Sequence, residues 1–391
     1  MQVETRSVIY AAATQPETER VAFFDSVLRL ECGTWLSGFT AGRTKHHHQA
    51  SIRLTRSRDA GRSWDLLPWR FLTELNGVPG SLTGAEMVEI ERGRLLLFST
   101  WFDRTDPERP LFDAETEGIL RSKQLLAVSS DEGETWSDWQ IVPTPGLTGC
   151  AITGPVLQWA DGSIAFAFES FKEFDDPSPP KHGAWLLISR DGGRSFEPPH
   201  LVAQDPQQRV YFWDQRLCVG TAPGEFIAMF WTHDRAAKRD LPVYFLRGNV
   251  NDSSTARQSP VETTIPGQIA APLLWHDGRL FTFVVDRDRP GTLRLWTSHD
   301  GGATWPKSVC LTVHEHDEQA KLSQGLENID FAQYWEDMGK WSFGHPTIRP
   351  FDSERVLLTY YAGSPGCLSV HAAVASGNPK CSLSSFQSSL H

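Results

Sequence analysis

The chain has 391 residues, 40% hydrophobic and 22% charged, which is the composition of a folded globular protein with room for one large all-β domain. A net charge of −11 without any basic stripe argues against a nucleic-acid partner, and no apolar run is long enough to span a membrane. Fifteen Trp and 22 Phe point instead to aromatic anchors between packed sheets, or to a sugar-facing surface.

In chain order, the first predicted element is a strand over 7–12. An apolar strand, a short turn and a second apolar strand follow at 26–30 and 35–39. That hairpin recurs at 86–90 with 95–99, 155–159 with 164–168, 216–219 with 226–230, 271–275 with 280–284, and 346–350 with 356–360. A second repeat, S-x-D-x-G-x-x-[WF], follows a strand at four places. It runs from Ser57 through Asp59 and Gly61 to Trp64, and likewise through Asp131 to Trp136, Asp191 to Phe196 and Asp300 to Trp305. Its chemistry is that of a hairpin turn. The Asp side chain accepts backbone N–H groups, the Gly takes a positive φ, and the aromatic ring buries itself under the turn. Four copies in the same order exclude chance, and the interval before the last copy is about twice the others, so one unit has lost its motif.

The pattern predicts six units of four strands in a single domain over 1–375, with the strand at 7–12 supplying the outer strand of the sixth. An acidic segment over about 313–341, helix-like from 317 to 335, reads as an insertion, and 376–391 reads as a loose tail. Six widely spaced cysteines without a C-x-x-C read as buried free thiols rather than metal ligands. The N-terminus has no apolar signal region, so a cytoplasmic location is expected.

These hairpins and boxes resemble the sialidase (neuraminidase) superfamily, the Asp-box or BNR-repeat proteins, over about 7–375. The resemblance implies an all-β fold, a six-bladed β-propeller with four-stranded blades. The boxes then lie on one face. The functional site lies on the other, built from the starts of the first strands and the loops after the second strands. Sialidases hold a carboxylate with three arginines, attack with a Tyr assisted by a Glu, and use an Asp as acid/base. Aligned on this pattern, Phe23 stands where the first Arg would fall and Phe343 where the Tyr would fall. Asp214 is nearest to the Glu, and the acid/base region carries Arg43 and His46 to His48. Turnover of a simple sialoside is therefore not expected.

On the functional face, Asp25, Glu86, Asp214 and His345 are the candidate catalytic residues, because the starts of the first strands converge on one axis. His48, Trp101, Arg216, His233, Arg235, Arg287 and Tyr361 are candidates for substrate binding, with Glu169 among the further polar residues of that face. Three adjacent histidines are not a ligand spacing, so neither metal nor cofactor is expected. The reading is a sialidase-like glycoside hydrolase acting on a carbohydrate. A polysaccharide lyase using His or Tyr with Arg, and a non-catalytic carbohydrate-binding propeller, are the alternatives.

Overall fold

Each S-x-D-x-G-x-x-[WF] motif closes a turn in the same way. Asp59 Oδ1 accepts the backbone N–H groups of Arg62 and Ser63, and its Oδ2 accepts the Ser63 hydroxyl at 2.6 Å. Gly61, at φ +79°, donates its N–H to Ser57 Oγ. Asp131, Asp191 and Asp300 repeat the bond to the hydroxyl four residues on. The aromatic residue then packs beneath, with Trp136 and Trp305 buried and Phe196 against Phe166 of its own unit and Phe98 of the neighbouring one.

The computed structural model describes residues 1–252, 259–288, 290–317 and 331–376, with 331–334 described by backbone alone. Strand β1 (Gln2–Tyr10) leads into six antiparallel units. The first has β2 (Val21–Arg29), β3 (Trp35–Gly42), β4 (Ser51–Ser57) and β5 (Asp65–Leu66). The second has β6 (Gly80–Glu91), β7 (Arg94–Asp103), β8 (Ser122–Ser129) and β9 (Gln140–Val142). The third has β10 (Ala151–Gln158), β11 (Ile164–Ser170), β12 (Gly183–Ser189) and β13 (His200–Ala203). The fourth has β14 (Val210–Val219), β15 (Glu225–Asp234), a short β16 (Arg239–Asp240), β17 (Tyr244–Asn249) and β18 (Val261–Glu262). The fifth has β19 (Ala270–Leu274), β20 (Leu280–Asp286), β21 (Gly291–Ser298) and β22 (Leu311–His316). Helix α1 (Phe331–Lys340) precedes the sixth, which has β23 (Phe343–Pro350), β24 (Arg355–Ser364) and β25 (Cys367–Ser376).

Within each unit the main strands pair in chain order, with β16 branching off β15 in the fourth, where β15 pairs on to β17, and β1 lies antiparallel on β25. A parallel bridge between Val21 and Leu368 joins the first and sixth units into one eight-stranded sheet. The first strands touch in sequence, β2 to β6, β10, β14, β19 and β23, and β23 returns to β2. Apolar side chains fill the space between neighbouring units, for example Ile52 and Leu54 with Leu95 and Leu97, or Phe39 and Val27 with Leu357 and Val374. This is how sheets with two apolar faces and no core of their own remove those faces from water.

Two sequence boundaries move. The first strand begins at Gln2 and ends at Tyr10, with Ala12 already in a 3-10 turn. Residues 313–316 belong to β22, whose pairing with β21 runs to His316, so the segment between the fifth and sixth units starts later than 313. Among the described residues the helix in that segment is Phe331–Lys340; most of the expected helix-like stretch 317–335 falls on residues 318–330, which, like the tail 377–391, lie outside the described residues.

Candidate functional site

The first strands of four units break at the same place. In β2, β6, β14 and β23 two residues oppose one on the partner strand, directly after Phe23, Thr83, Trp213 and Gly344. The first residue of each bulge is left-handed, with φ of +51° at Phe24, +75° at Gly84, +45° at Asp214 and +52° at His345. Only glycine takes that conformation freely, and each of the other three costs roughly 1–3 kcal/mol. Three strained residues from three separate units thus meet at one point, the pattern expected where side-chain aim outweighs backbone comfort.

Four buried carboxyls surround that point. Asp25 is fully buried, accepts the Thr359 hydroxyl at 2.7 Å on Oδ2 and leaves Oδ1 without a hydrogen bond. Burial pushes its pKa up to about 7, against the Thr359 bond and the charge of Arg216. Glu86 is likewise pushed up to about 7 by burial, opposed by Arg349 and Arg216. Glu169, at the end of β11, accepts the Gln215 N–H at 3.3 Å and is raised well above the usual range, by burial and then by the neighbouring charge of Asp214. Asp214 is raised by burial, with Arg216 and Arg287 pulling it back. Arg216 therefore acts on all four. It is 3% exposed, its Nη2 lies 3.6 Å from Asp214 Oδ1, and the same Nη2 donates to His345 Nδ1 at 2.9 Å. Burial, then the Arg216 charge, hold the His345 imidazole well below its usual pKa, so it stays neutral and accepts.

Above the carboxyls opens a narrow, partly enclosed cleft. Its floor includes Phe24, Glu169 and Asp214, and His46 and Thr153 edge it. One wall is the loop after β7, which is tied down at many points. Ile119 donates its N–H to Lys172 O, and Thr116 Oγ1 donates to Phe174 O. Glu117 pairs with Arg235 at 2.6 Å and accepts Tyr211 OH at 2.8 Å. Phe112 from this loop stacks on Trp335 of α1 with ring centroids 3.4 Å apart, and Met338 completes that side.

Of the predicted catalytic residues, Asp214 reaches the cleft. Asp25 and His345 lie beside it, with His345 edge-on to Phe24 at 4.8 Å. Glu86 faces a separate small cavity along the axis with Arg216, Arg349 and Thr347. Arg287 and Tyr361 flank Gly344, where an added Cβ would lie 2.6 Å from Arg287 Nη2 and 3.1 Å from Tyr361 OH. Arg287 also donates to Gln268 and sits 3.9 Å over the Trp341 ring, while Tyr361 OH accepts Lys45 Nζ at 2.8 Å. His233 is stacked on Trp213 and bonded to Asp240 at 3.1 Å.

Three further predicted binding residues also stand outside the cleft lining. Trp101 is buried in the core between the first two units and donates Nε1 to Thr73 O. Strand alternation turns the next residue, Phe102, into the cleft instead. His48 stacks on His47, and it is His46 that lines the cleft. Arg235 serves as the anchor for Glu117, holding the wall rather than lining the cleft. Glu169 stands at the centre although the sequence reading gave it no catalytic role. Its only signal was a carboxylate at the end of a second strand, directly after the buried run 164–168.

No family model matches the chain, and no curated protein matches it in sequence. Solved structures do match. A protein of unknown function from Dyadobacter fermentans superposes with a TM-score of 0.69 at 18% identity, covering 95% of this chain and 98% of that one. The Hadza microbial sialidase Hz136 gives 0.65 at 16% identity over 95% of this chain and 68% of that one. A leech intramolecular trans-sialidase, in complex with 2,7-anhydro-Neu5Ac, gives 0.60 at 13% identity over 96% and 70%. The chain thus has a sialidase-like all-β fold; at these identities the likeness extends to the fold alone.

Proposed function

We propose that this chain is a single-domain, six-bladed β-propeller of the Asp-box kind, and that it hydrolyses a glycosidic bond with Glu169 and Asp214 as its reacting carboxyl pair. The cyclic contact order of the first strands and the apolar filling between the last unit and the first support the ring. The observation that carries the chemistry is the pair itself: two buried carboxyls, each raised, lining a largely apolar cleft. Glycoside hydrolysis needs one carboxyl protonated and one ionised at the same pH, and unequal surroundings provide that split. Arg216 beside Asp214 favours its anion, while Glu169, facing that anion without a cation in contact, is the proton donor.

Sialoside turnover fits this site poorly. Phe23 and Phe343 are each 1% exposed, and neither offers a charge or a nucleophile. Elimination chemistry finds less support, since His345, Tyr361 and Arg287 stand outside the cleft lining. The test is turnover of a panel of aryl glycosides of the common hexoses, pentoses and sialic acid. The wild type is expected to cleave at least one neutral member, and Glu169→Gln and Asp214→Asn to lose about 10²–10⁴-fold in kcat with the fold intact. Unchanged turnover in both variants would refute the assignment.

A further inference from the structure

The cleft has too few polar groups for a polyhydroxylated chain. Of its seventeen lining residues twelve are apolar, and the polar ones are His46, Thr83, Thr153, Glu169 and Asp214. A sugar ring brings a hydroxyl on nearly every carbon, and each that is buried without a partner costs about 1–3 kcal/mol. Subsites for glycan chains therefore carry many donors and acceptors, and this wall offers Phe102, Phe112, Phe171, Trp231 and Trp335 instead. The same wall is held rigidly, through Glu117 on Arg235 and Tyr211, so it is built to keep this surface in place.

Two polar atoms in the lining await a partner. His46 Nδ1 and Thr153 Oγ1 are both shielded from solvent and make no hydrogen bond. Burial, with Lys45 and Arg104 adding to it, drives the His46 pKa down to about 3, so the ring is neutral at ordinary pH and offers a hydrogen bond without a charge. His46 stands edge-on to Phe23 and near Phe24, which fixes its ring at the cleft margin. One or two directed hydrogen bonds inside an aromatic enclosure suit a ligand that is mostly apolar with one or two polar substituents.

We infer that the substrates of this site are glycosides of apolar alcohols or phenols, with the aglycone lying against the aromatic wall and His46 and Thr153 reading its polar substituent. The inference rests on Glu169 and Asp214 being the bond-breaking pair, which places the scissile bond at the floor and the leaving group along the wall. Hydrolysis balances simply: the anomeric C–O bond breaks, Glu169 gives its proton to the aglycone oxygen, and water supplies the hydroxyl of the released sugar and restores the proton.

The experiment compares matched phenyl and methyl glycosides of the common hexoses and pentoses, with the corresponding disaccharides. Binding to the wild type and to Glu169→Gln is followed by calorimetry, and turnover by release of reducing sugar. For any sugar accepted, the phenyl glycoside is expected to bind at least about tenfold more tightly than the methyl glycoside or the disaccharide. Phe112→Ser is expected to erase that preference and Phe112→Leu to keep most of it. Thr153→Val should weaken a hydroxyphenyl glycoside more than the phenyl one. Equal binding of phenyl glycoside and disaccharide, or no binding of any phenyl glycoside, would overturn the inference. A phenyl preference without hydrolysis would sustain the aglycone site and defeat the hydrolase reading. Hydrolysis indifferent to the aglycone would do the reverse.

Discussion

The carboxyl groups at the turns and those at the axis are treated in opposite ways by the same fold. At the turns, Asp59, Asp191 and Asp300 are open to solvent and collect hydroxyl and backbone donors, which lower each pKa to about 2. At the axis, Asp25 and Glu86 are enclosed, and burial raises each to about 7. A donor-rich turn wants the anion, and that part of the stability is present above the ordinary carboxylate pKa and lost as pH falls through about 2. The axis wants the neutral acid, so its part is present below the ordinary pKa and declines as pH rises toward 7. The first arrangement supports structure; the second provides groups that titrate near neutrality, which acid–base chemistry uses.

The sharpest way to break this contrast is to remove one carboxylate of each kind. Glu169→Gln should cost turnover several orders of magnitude at unchanged melting temperature, whereas Asp300→Ala should leave kcat/KM intact. Next is Arg216→Gln, which strips the cation from four carboxyls. It should destabilise the protein by about 3–5 kcal/mol at pH 8, the usual penalty for orphaning a buried charge. The loss should shrink as pH falls toward 5, and with Asp214 further raised the acid limb of the pH–rate profile should move up. Denaturant unfolding at the two pH values checks the first part. Asp25→Asn works the other way. It removes a group that resists ionising, so the variant should gain on the wild type between pH 5 and 8, on the order of 3 kcal/mol at the upper end. A gap between the two proteins that does not vary with pH would contradict the raised pKa. The smallest effect is that of Asp300→Ala on stability, a modest drop in melting temperature that shrinks as pH falls from the ordinary carboxylate range toward about 2, where the turn carboxylate becomes protonated.

The turns were legible because their chemistry is local. Serine, aspartate, glycine and the aromatic ring lie within eight residues, and the hydrogen bonds they make are the ones the spacing announces. Hairpins were legible for a similar reason, since apolar runs split by short turns leave little choice of partner. The site was legible only in outline. The starts of the first strands placed Asp214 and His345 at the axis, where the structure has them. Which side chain of a neighbouring pair enters the cleft, Trp101 or Phe102, depends on strand phase, and the bulge one strand away shows no sequence mark beyond a Gly at one of four copies. Glu169 gains its meaning from Gln215 and Asp214, which approach it from the next unit. No window of sequence contains that encounter.

The pairing of β1 with β25 has a consequence for how the molecule is made. Its partners come from opposite extremes of the described chain, and the bridge from Val21 to Leu368 adds a second link of the same reach. During synthesis, residues 2–10 leave the ribosome with no partner and wait until residues 367–376 have been translated. Until then the nascent chain carries an open strand edge, the kind of surface that recruits other chains. The units in between can pair locally as they emerge, but the last contacts span the greatest sequence distance and are the slowest to find. Assembly should therefore end in one late step, and a ribosome stalled short of residue 367 should hold a chain that proteases cut readily at its beginning.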